Sequence, residues 1–285
     1  MSQASQPCSL CGGTGLLLKE GPAGAVAGLC SCKSPCPDCE DSGYVVRATD
    51  QGPLASRCQC QGLRNRAAAF NTAGLPAKHR SCTFEGFQIG SPTQGQAAKM
   101  LFNYAREFKP GDKGWLLYGP PGVGKTHLVC ALLRRLTLER AVACRFVEFF
   151  ALLADLKRAY SEGRGEAEII APLQASYLLV VDELGKGRGS EWELGVLDQL
   201  INHRYNNGRS TIFTTNYSPY QQEADTSYSP MGRLTQLASG GEGLEARINN
   251  RILSRIFEMC SIQQIVGEDY RKRDYAPASG TRRNS

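Results

Sequence analysis

No stretch of the chain approaches the ~18 consecutive apolar residues of a membrane-spanning helix, which excludes a helical membrane protein. The start, MSQASQPCSLCGG, lacks the basic region and apolar core that mark a secretory signal. Those two absences predict a cytoplasmic location, no membrane partner and reduced thiols. Neither charge sign dominates: 33 Lys+Arg face 27 Asp+Glu, a net +6 that permits a nucleic-acid partner without arguing for one. Aromatics are also sparse where they would matter. Lys157, Arg158 and Arg164 have only Tyr160 near them, so no stacking platform for single-stranded nucleic acid is evident. Those charges read as a solvated helix face.

What remains fits a globular protein, with 41% hydrophobic and 21% charged residues. A length of 285 residues predicts about two domains.

Cysteine is the residue in excess. Eight of the twelve lie between Cys8 and Cys60, as Cys8-x-x-Cys11, Cys30-x-Cys32, Cys36-x-x-Cys39 and Cys58-x-Cys60. The second set is the first displaced by 28 residues, and TGLLL after Cys11 matches SGYVV after Cys39. This is an internal duplication. Two thiolates two residues apart can reach one tetrahedral Zn²⁺ from a tight turn, and a second pair closes the site. Eight thiolates therefore predict two structural zinc ions per chain. Disulfides or an iron–sulfur cluster are the competing uses. Sequential, interleaved and nested pairings of the four cysteine pairs all remain open. Cys8–Gly15 also fits the CxxCxGxG pattern of the DnaJ cysteine-rich module, although the second copy carries Asp41 at the middle glycine. So few large apolar groups fall in this region that it depends on its metals to fold. Cys82, Cys130, Cys144 and Cys260, mostly among apolar neighbours, read as buried hydrophobes.

From Trp115 onward short apolar runs alternate with amphipathic helices. Strands are expected at Trp115–Tyr118, Arg145–Glu148, Leu178–Val181, Ser210–Thr214 and Ile262–Val266. Helices are expected at Leu63–Ala73, Gln96–Phe108, Phe149–Tyr160, Glu191–Tyr205 and from Glu242 to Cys260. The alternation predicts an α/β fold, a parallel sheet with helices on both faces. The expected organisation is a zinc-binding region at 1–62, a connector at 63–95, an ATPase domain at 96–275 and a disordered basic tail at 276–285.

Gly119-Pro120-Pro121-Gly122-Val123-Gly124-Lys125-Thr126 is a complete G-x-x-x-x-G-K-[ST] motif between an apolar run and a helical pattern. Its glycines let backbone N–H groups point at phosphates, and the helix N-terminus adds a favourable dipole. Lys125 would reach the β- and γ-phosphates of ATP and Thr126 would ligate Mg²⁺. Downstream, Leu178-Leu-Val-Val-Asp182-Glu183 puts two carboxylates at the end of a buried strand. Asp182 would hold the Mg²⁺ and Glu183 would polarise the attacking water. Asn216, after the strand at Ser210, would orient water or the γ-phosphate. In the last predicted helix Arg247, Arg251 and Arg255 recur at i, i+4 and i+8, which puts all three on one face. Beside a phosphate loop, such a face suggests an arginine finger aimed at a neighbouring subunit.

Together these motifs resemble the AAA+ replicative helicase loaders of the DnaC/DnaI type, with the IstB transposition helpers as relatives. The resemblance rests on GPPGVGKTHL at Gly119–Leu128, LLVVDEL at Leu178–Leu184, FTTNY at Phe213–Tyr217, RILSRIFEMC at Arg251–Cys260 and Asp269-Tyr-Arg271. The connector LPAKHRSCTFEGF at Leu75–Phe87 is similar as well. It implies an AAA+ core with little or no lid, preceded by a small zinc-binding domain. It implies catalytic roles for Lys125, Glu183, Asn216 and Arg251, and nucleotide contacts from Gly119 through His127, with Asp182, Arg255 and a sensor arginine at Arg271. It implies a slow, assembly-dependent ATPase that delivers a DnaB-type ring helicase to single-stranded DNA. Two further readings stand beside it: an IstB-type ATPase helper of transposition, and an ATP-binding adaptor with negligible turnover. The zinc module departs from the family by occurring twice, which leaves open which copy grips a partner. Ser218–Leu244, rich in Ser, Gln and Gly, looks like an insertion.

Overall fold

The computed structural model describes residues 8–187, 189–220 and 243–275. The predicted basic tail and most of the Ser218–Leu244 insertion lie outside the described residues. Two antiparallel hairpins come first: β1 (Leu16–Gly21) with β2 (Gly24–Leu29), and β3 (Tyr44–Thr49) with β4 (Gly52–Arg57). Their registers are identical after a shift of 28 residues: Leu16 faces Leu29 in the first, and Tyr44 faces Arg57 in the second. The duplication read in the cysteines is therefore a duplication of structure.

Helix α1 (Cys60–Ala73) starts at the last cysteine of the repeat and stops at Gly74, whose φ of 73° closes the helix in the left-handed region. Helix α2 (Pro92–Glu107) opens four residues before its expected start. The Ser91 side chain accepts a hydrogen bond from the Gln94 amide at 3.2 Å, and Pro92 needs no donor at the first helical position.

The core is a five-stranded parallel sheet. Its strands are β5 (Gly114–Tyr118), β6 (Cys144–Glu148), β7 (Leu178–Asp182), β8 (Ser210–Thr215) and β9 (Cys260–Gln264), in the order β6-β7-β8-β5-β9. All five residues of β7 are buried, as a central strand covered on both sides requires. Successive side chains point to opposite faces. Leu117, Val180 and Ile212 meet α1, α2 and α3 (Lys125–Arg140) through Phe70, Leu101 and Leu132. Leu116, Val181 and Phe213 meet the other layer, α4 (Phe149–Ser161), α5 (Ala167–Ala175), α6 (Glu191–Asn206) and α8 (Asn250–Met259), through Leu152, Ile170, Leu197 and Ile252. The two-faced α/β expectation holds.

Three local expectations change. β9 starts two residues earlier than predicted, at Cys260, and α5 was not foreseen because Pro172 interrupts its pattern. The helix expected from Glu242 to Cys260 is two helices, α7 (Leu244–Ile248) and α8, broken at Asn249. Asn249 has φ of 61° and its side-chain oxygen accepts from the Ile252 amide at 3.0 Å, so it caps a new helix.

Candidate functional site

The carboxyl ends of β5, β7 and β8 converge on the Gly119–Thr126 loop. Gly119 has φ of 146°, and a Cβ there would lie 1.9 Å from the Ile265 carbonyl oxygen. Gly124, at φ of 96°, has the Phe87 ring 2.4 Å from its missing Cβ. Only glycine fits either position. Lys125 opens α3 and is buried; its Nζ donates to the carbonyls of Gly119 at 2.7 Å and Pro120 at 2.8 Å, and to Asn216 Oδ1 at 2.7 Å. Burial pulls its pKa down to about 8, opposed by the charge of Asp182.

Thr126 Oγ1 donates to Asp182 at 3.0 Å, and Thr214 Oγ1 donates to the same carboxylate at 2.5 Å. Burial pushes the Asp182 pKa up, against the lowering effect of those two hydroxyls. A hydroxyl and a carboxylate oxygen this close are the hard donors Mg²⁺ prefers, so the pair fits the ion. Glu183 takes the unusual φ of 57°, held by its own N–H donating to Thr214 Oγ1 at 3.1 Å. Lys186 ion-pairs with Glu183 and lies 3.8 Å from Glu148 at the end of β6.

These groups line a cavity of about 600 Å³. Its other wall comes from the connector, with Pro76, His79, Phe87 and Gln88, and Arg271 closes the rim. The cavity is large enough for a nucleotide, with cations at the phosphate end and a flat apolar wall opposite. His127 lines it too, but its Nε2 donates to the Thr83 carbonyl at 2.9 Å and its ring packs 5.3 Å from Phe87. His127 therefore ties α3 to the connector. Arg271 pairs with Asp269 at 3.0 Å, while the Tyr270 amide donates to the Gly122 carbonyl at 3.1 Å, holding this segment over the loop.

The three arginines do not share one face, because the break at Asn249 separates the first from the others. Arg247 stacks 4.9 Å over the Tyr217 ring and reaches the Gly187 carbonyl at 3.3 Å. Arg255 is held by Asp198 at 3.0 Å with its side chain 21% exposed. Arg251 lies 3.7 Å from the same carboxylate and is 68% exposed.

The eight repeat cysteines form two groups, Cys8, Cys11, Cys30 and Cys32, then Cys36, Cys39, Cys58 and Cys60. The pairing left open is thus sequential. Sulfur separations of 3.9 Å (Cys8–Cys30), 3.6 Å (Cys11–Cys32), 3.7 Å (Cys36–Cys58) and 3.4 Å (Cys39–Cys60) exclude disulfides. They match the ~3.8 Å edge of a tetrahedron with Zn–S bonds of ~2.3 Å. The Gly15 amide donates to Cys11 Sγ at 3.3 Å and the Gly43 amide to Cys39 Sγ at 3.4 Å. Although burial opposes it, this hydrogen bonding lowers the Cys11 pKa to about 6 and that of Cys39 to about 7. Cys82, Cys130, Cys144 and Cys260 are buried, as expected of small core residues.

Residues 59–278 match the family described as IstB-like ATP binding protein. The chain belongs to that family. This IstB-like chain is 28% identical over 148 residues to the replicative helicase loader DnaC of Escherichia coli (strain K12), a match covering 52% of this chain and 60% of that protein. The crystal structure of the DnaC helicase loader superposes with a TM-score of 0.55 and 28% identity, covering 66% of this chain and 99% of that chain. The crystal structure of DnaI, at 22% identity and a TM-score of 0.51 over 68% of this chain and 93% of that one, shares the fold. The fold is AAA+. The IstB-like match begins at residue 59, so Cys60 is the one repeat cysteine inside it.

Within the IstB-like core, sequence reasoning missed the connector wall of His79 and Phe87, and it missed Lys186 and Asp198. The first two sit in a segment without periodicity. Asp198 lies among ordinary helix-surface charges, and only the fold brings it to Arg251 and Arg255.

Proposed function

We propose that this chain is an ATP-switched loader that delivers a DnaB-type ring helicase to single-stranded DNA in the cytoplasm. The observation that carries the reading is the joint placement of Lys125, Thr126, Asp182, Glu183 and Asn216 around one cavity, in a chain similar to DnaC. The Gly119–Thr126 amides and Lys125 bind the phosphates, and Lys125 must leave the Gly119 and Pro120 carbonyls to do so. Pro120, Pro121 and Val123 shape the loop that aims those amides. Thr126 and Asp182 hold Mg²⁺, which supplies charge neutralisation at the phosphates. Glu183 accepts the proton of the attacking water once Lys186 releases it, and Asn216 orients the reacting groups.

Arg251, exposed and only loosely tied to Asp198, is the finger a neighbouring subunit receives, so turnover is slow until chains assemble. Arg255 and Arg271 complete the nucleotide contacts, in trans and in cis. The two cysteine centres hold zinc, and the zinc-binding region of residues 1–62 is the partner-binding arm. The connector of residues 63–95 couples it to the ATPase domain of residues 96–275. A transposition helper is the second reading, favoured by the IstB-like family match.

ATP hydrolysis measured alone, with single-stranded DNA, and with the ring helicase of the same genome tests the proposal. The loader reading expects a nucleotide-dependent helicase complex and stimulated turnover. Absence of any helicase complex in both ATP and ADP overturns it.

A further inference from the structure

The two cysteine hairpins are copies in register, yet among the described residues only one is covered. On one face of the first hairpin stand the cross-strand pairs Leu16/Leu29, Leu18/Ala27 and Glu20/Ala25. That face lies on α1: Leu16, Ala25 and Ala27 are 8%, 3% and 6% exposed and pack with Ala67, Phe70 and Leu75. The edge of β2 is used as well. The Ala27 amide donates to Asn71 Oδ1 at 2.6 Å, Asn71 Nδ2 donates back to the Ala27 carbonyl at 3.0 Å, and the Ala25 amide donates to the Leu75 carbonyl at 2.7 Å.

The equivalent face of the second hairpin carries Tyr44/Arg57, Val46/Ala55 and Ala48/Pro53. It remains largely apolar, but all six residues are exposed, with Tyr44 at 53% and Val46 at 66%. Ala55 takes the place of Ala27 and, by the same register, directs its amide and carbonyl outward. Pro53 takes the place of Ala25 and has no amide to give. Where the first copy presents Leu29, the second presents Arg57, which has no ion-pair partner among the described residues.

We infer that the Tyr44/Val46/Ala55/Arg57 face is the partner-docking surface of the zinc arm, and that its occupant is an acidic helix with an apolar stripe on another protein. The first copy shows what this face is built to cover: one side of a helix whose side-chain amide bonds to the hairpin edge. The charge complementarity is the new element, since Arg57 asks for a carboxylate beside the stripe. The first copy is then the fixed mount and the second the grip. With the helicase as the partner, this rests on the loader reading above.

The test uses the full chain in ATP against the ring helicase of the same genome. Val46→Asp with Ala55→Asp, and separately Arg57→Glu, should each weaken the complex at least about tenfold. Arg47→Glu, on the opposite face, should stay within about twofold. Two zinc ions per chain and parental ATP affinity in each variant certify the fold; Arg57→Glu decides if the double variant loses zinc. The surface assignment is overturned if Arg57→Glu and the folded double variant bind like the parent, or if Arg47→Glu weakens binding equally, and the loader reading then survives. If the parent binds no helicase, the loader reading falls and a benzophenone residue in place of Tyr44 decides the surface in cells. An adduct mapped to an acidic helical segment of a different protein supports it; an adduct to a second copy of this chain, or none, overturns it.

Discussion

Lys125 Nζ and Asn216 Oδ1 are 2.7 Å apart, joining the amino end of α3 to the carboxyl end of β8 beside the Gly119–Thr126 loop. The ammonium spends its other two hydrogen bonds on carbonyls of its own loop. Nucleotide therefore competes for a lysine already satisfied. Lys125→Ala should weaken ATP binding about 100-fold, read by fluorescent-nucleotide titration. Unchanged affinity would remove Lys125 from the phosphate site.

Glu183→Gln keeps the shape of the site and removes the proposed base. ATP binding should stay within about twofold while turnover falls by about 10²–10⁴. Parental turnover in this variant would send the role of base elsewhere, with Glu148, which lines the same cavity, the next candidate.

Asp198 holds Arg255 tightly and Arg251 loosely, which separates the two arginines by experiment. Arg251→Ala should cost about 10³ in assembly-stimulated ATPase and leave ATP affinity intact. Mixing it with Lys125→Ala chains should restore part of the rate, because each subunit supplies what the other lacks. No rescue on mixing argues against a finger acting between subunits.

Metal analysis should find two zinc ions per chain. Cys36→Ser should lose one and leave ATP binding intact, because the second hairpin packs on little beyond its own cysteines. Cys11→Ser should destabilise the whole chain by on the order of 3 kcal/mol, since Leu16, Ala25 and Ala27 leave the core with it. Equal melting temperatures for the two variants would contradict that asymmetry.

His79 provides a pH signature. Its pKa falls from 6.5 to about 4 through burial, then the neighbouring charges of Lys78 and His127. A depressed folded-state value means its contribution is fully present above pH 6.5 and is lost as pH falls towards 4. With the ring only partly buried, the loss between pH 7 and 4.5 should be about 1 kcal/mol in urea unfolding. His79→Gln should flatten that part of the profile, and an unchanged slope would place the dependence on other groups.

Much of the fold and of the candidate site's layout was legible in the sequence. β5 and β7 are runs of mostly apolar residues and β8 is a run rich in β-branched ones, so local pattern and tertiary role coincide. The Gly119–Thr126 loop and Asp182 follow from spacing alone. The break at Asn249 was not legible, because Arg247, Arg251 and Arg255 keep a perfect four-residue spacing through it. What breaks the helix is one left-handed residue that caps its successor, and heptad-like spacing is blind to φ. Cysteine pairing was hidden for a related reason. Spacing says which thiols share a turn, and only the hairpin length brings Cys30 and Cys32 back to Cys8 and Cys11. The cavity wall of His79 and Phe87 is a long-range contact with no local code.

Cys60 is at once a member of the second cysteine group and the first residue of α1, and α1 packs against α3, whose first residue is Lys125. The hairpin is thus not a bead on a string. Its last cysteine opens a helix that packs against the one beginning at Lys125, so two helices in contact join the second cysteine group to the Gly119–Thr126 loop.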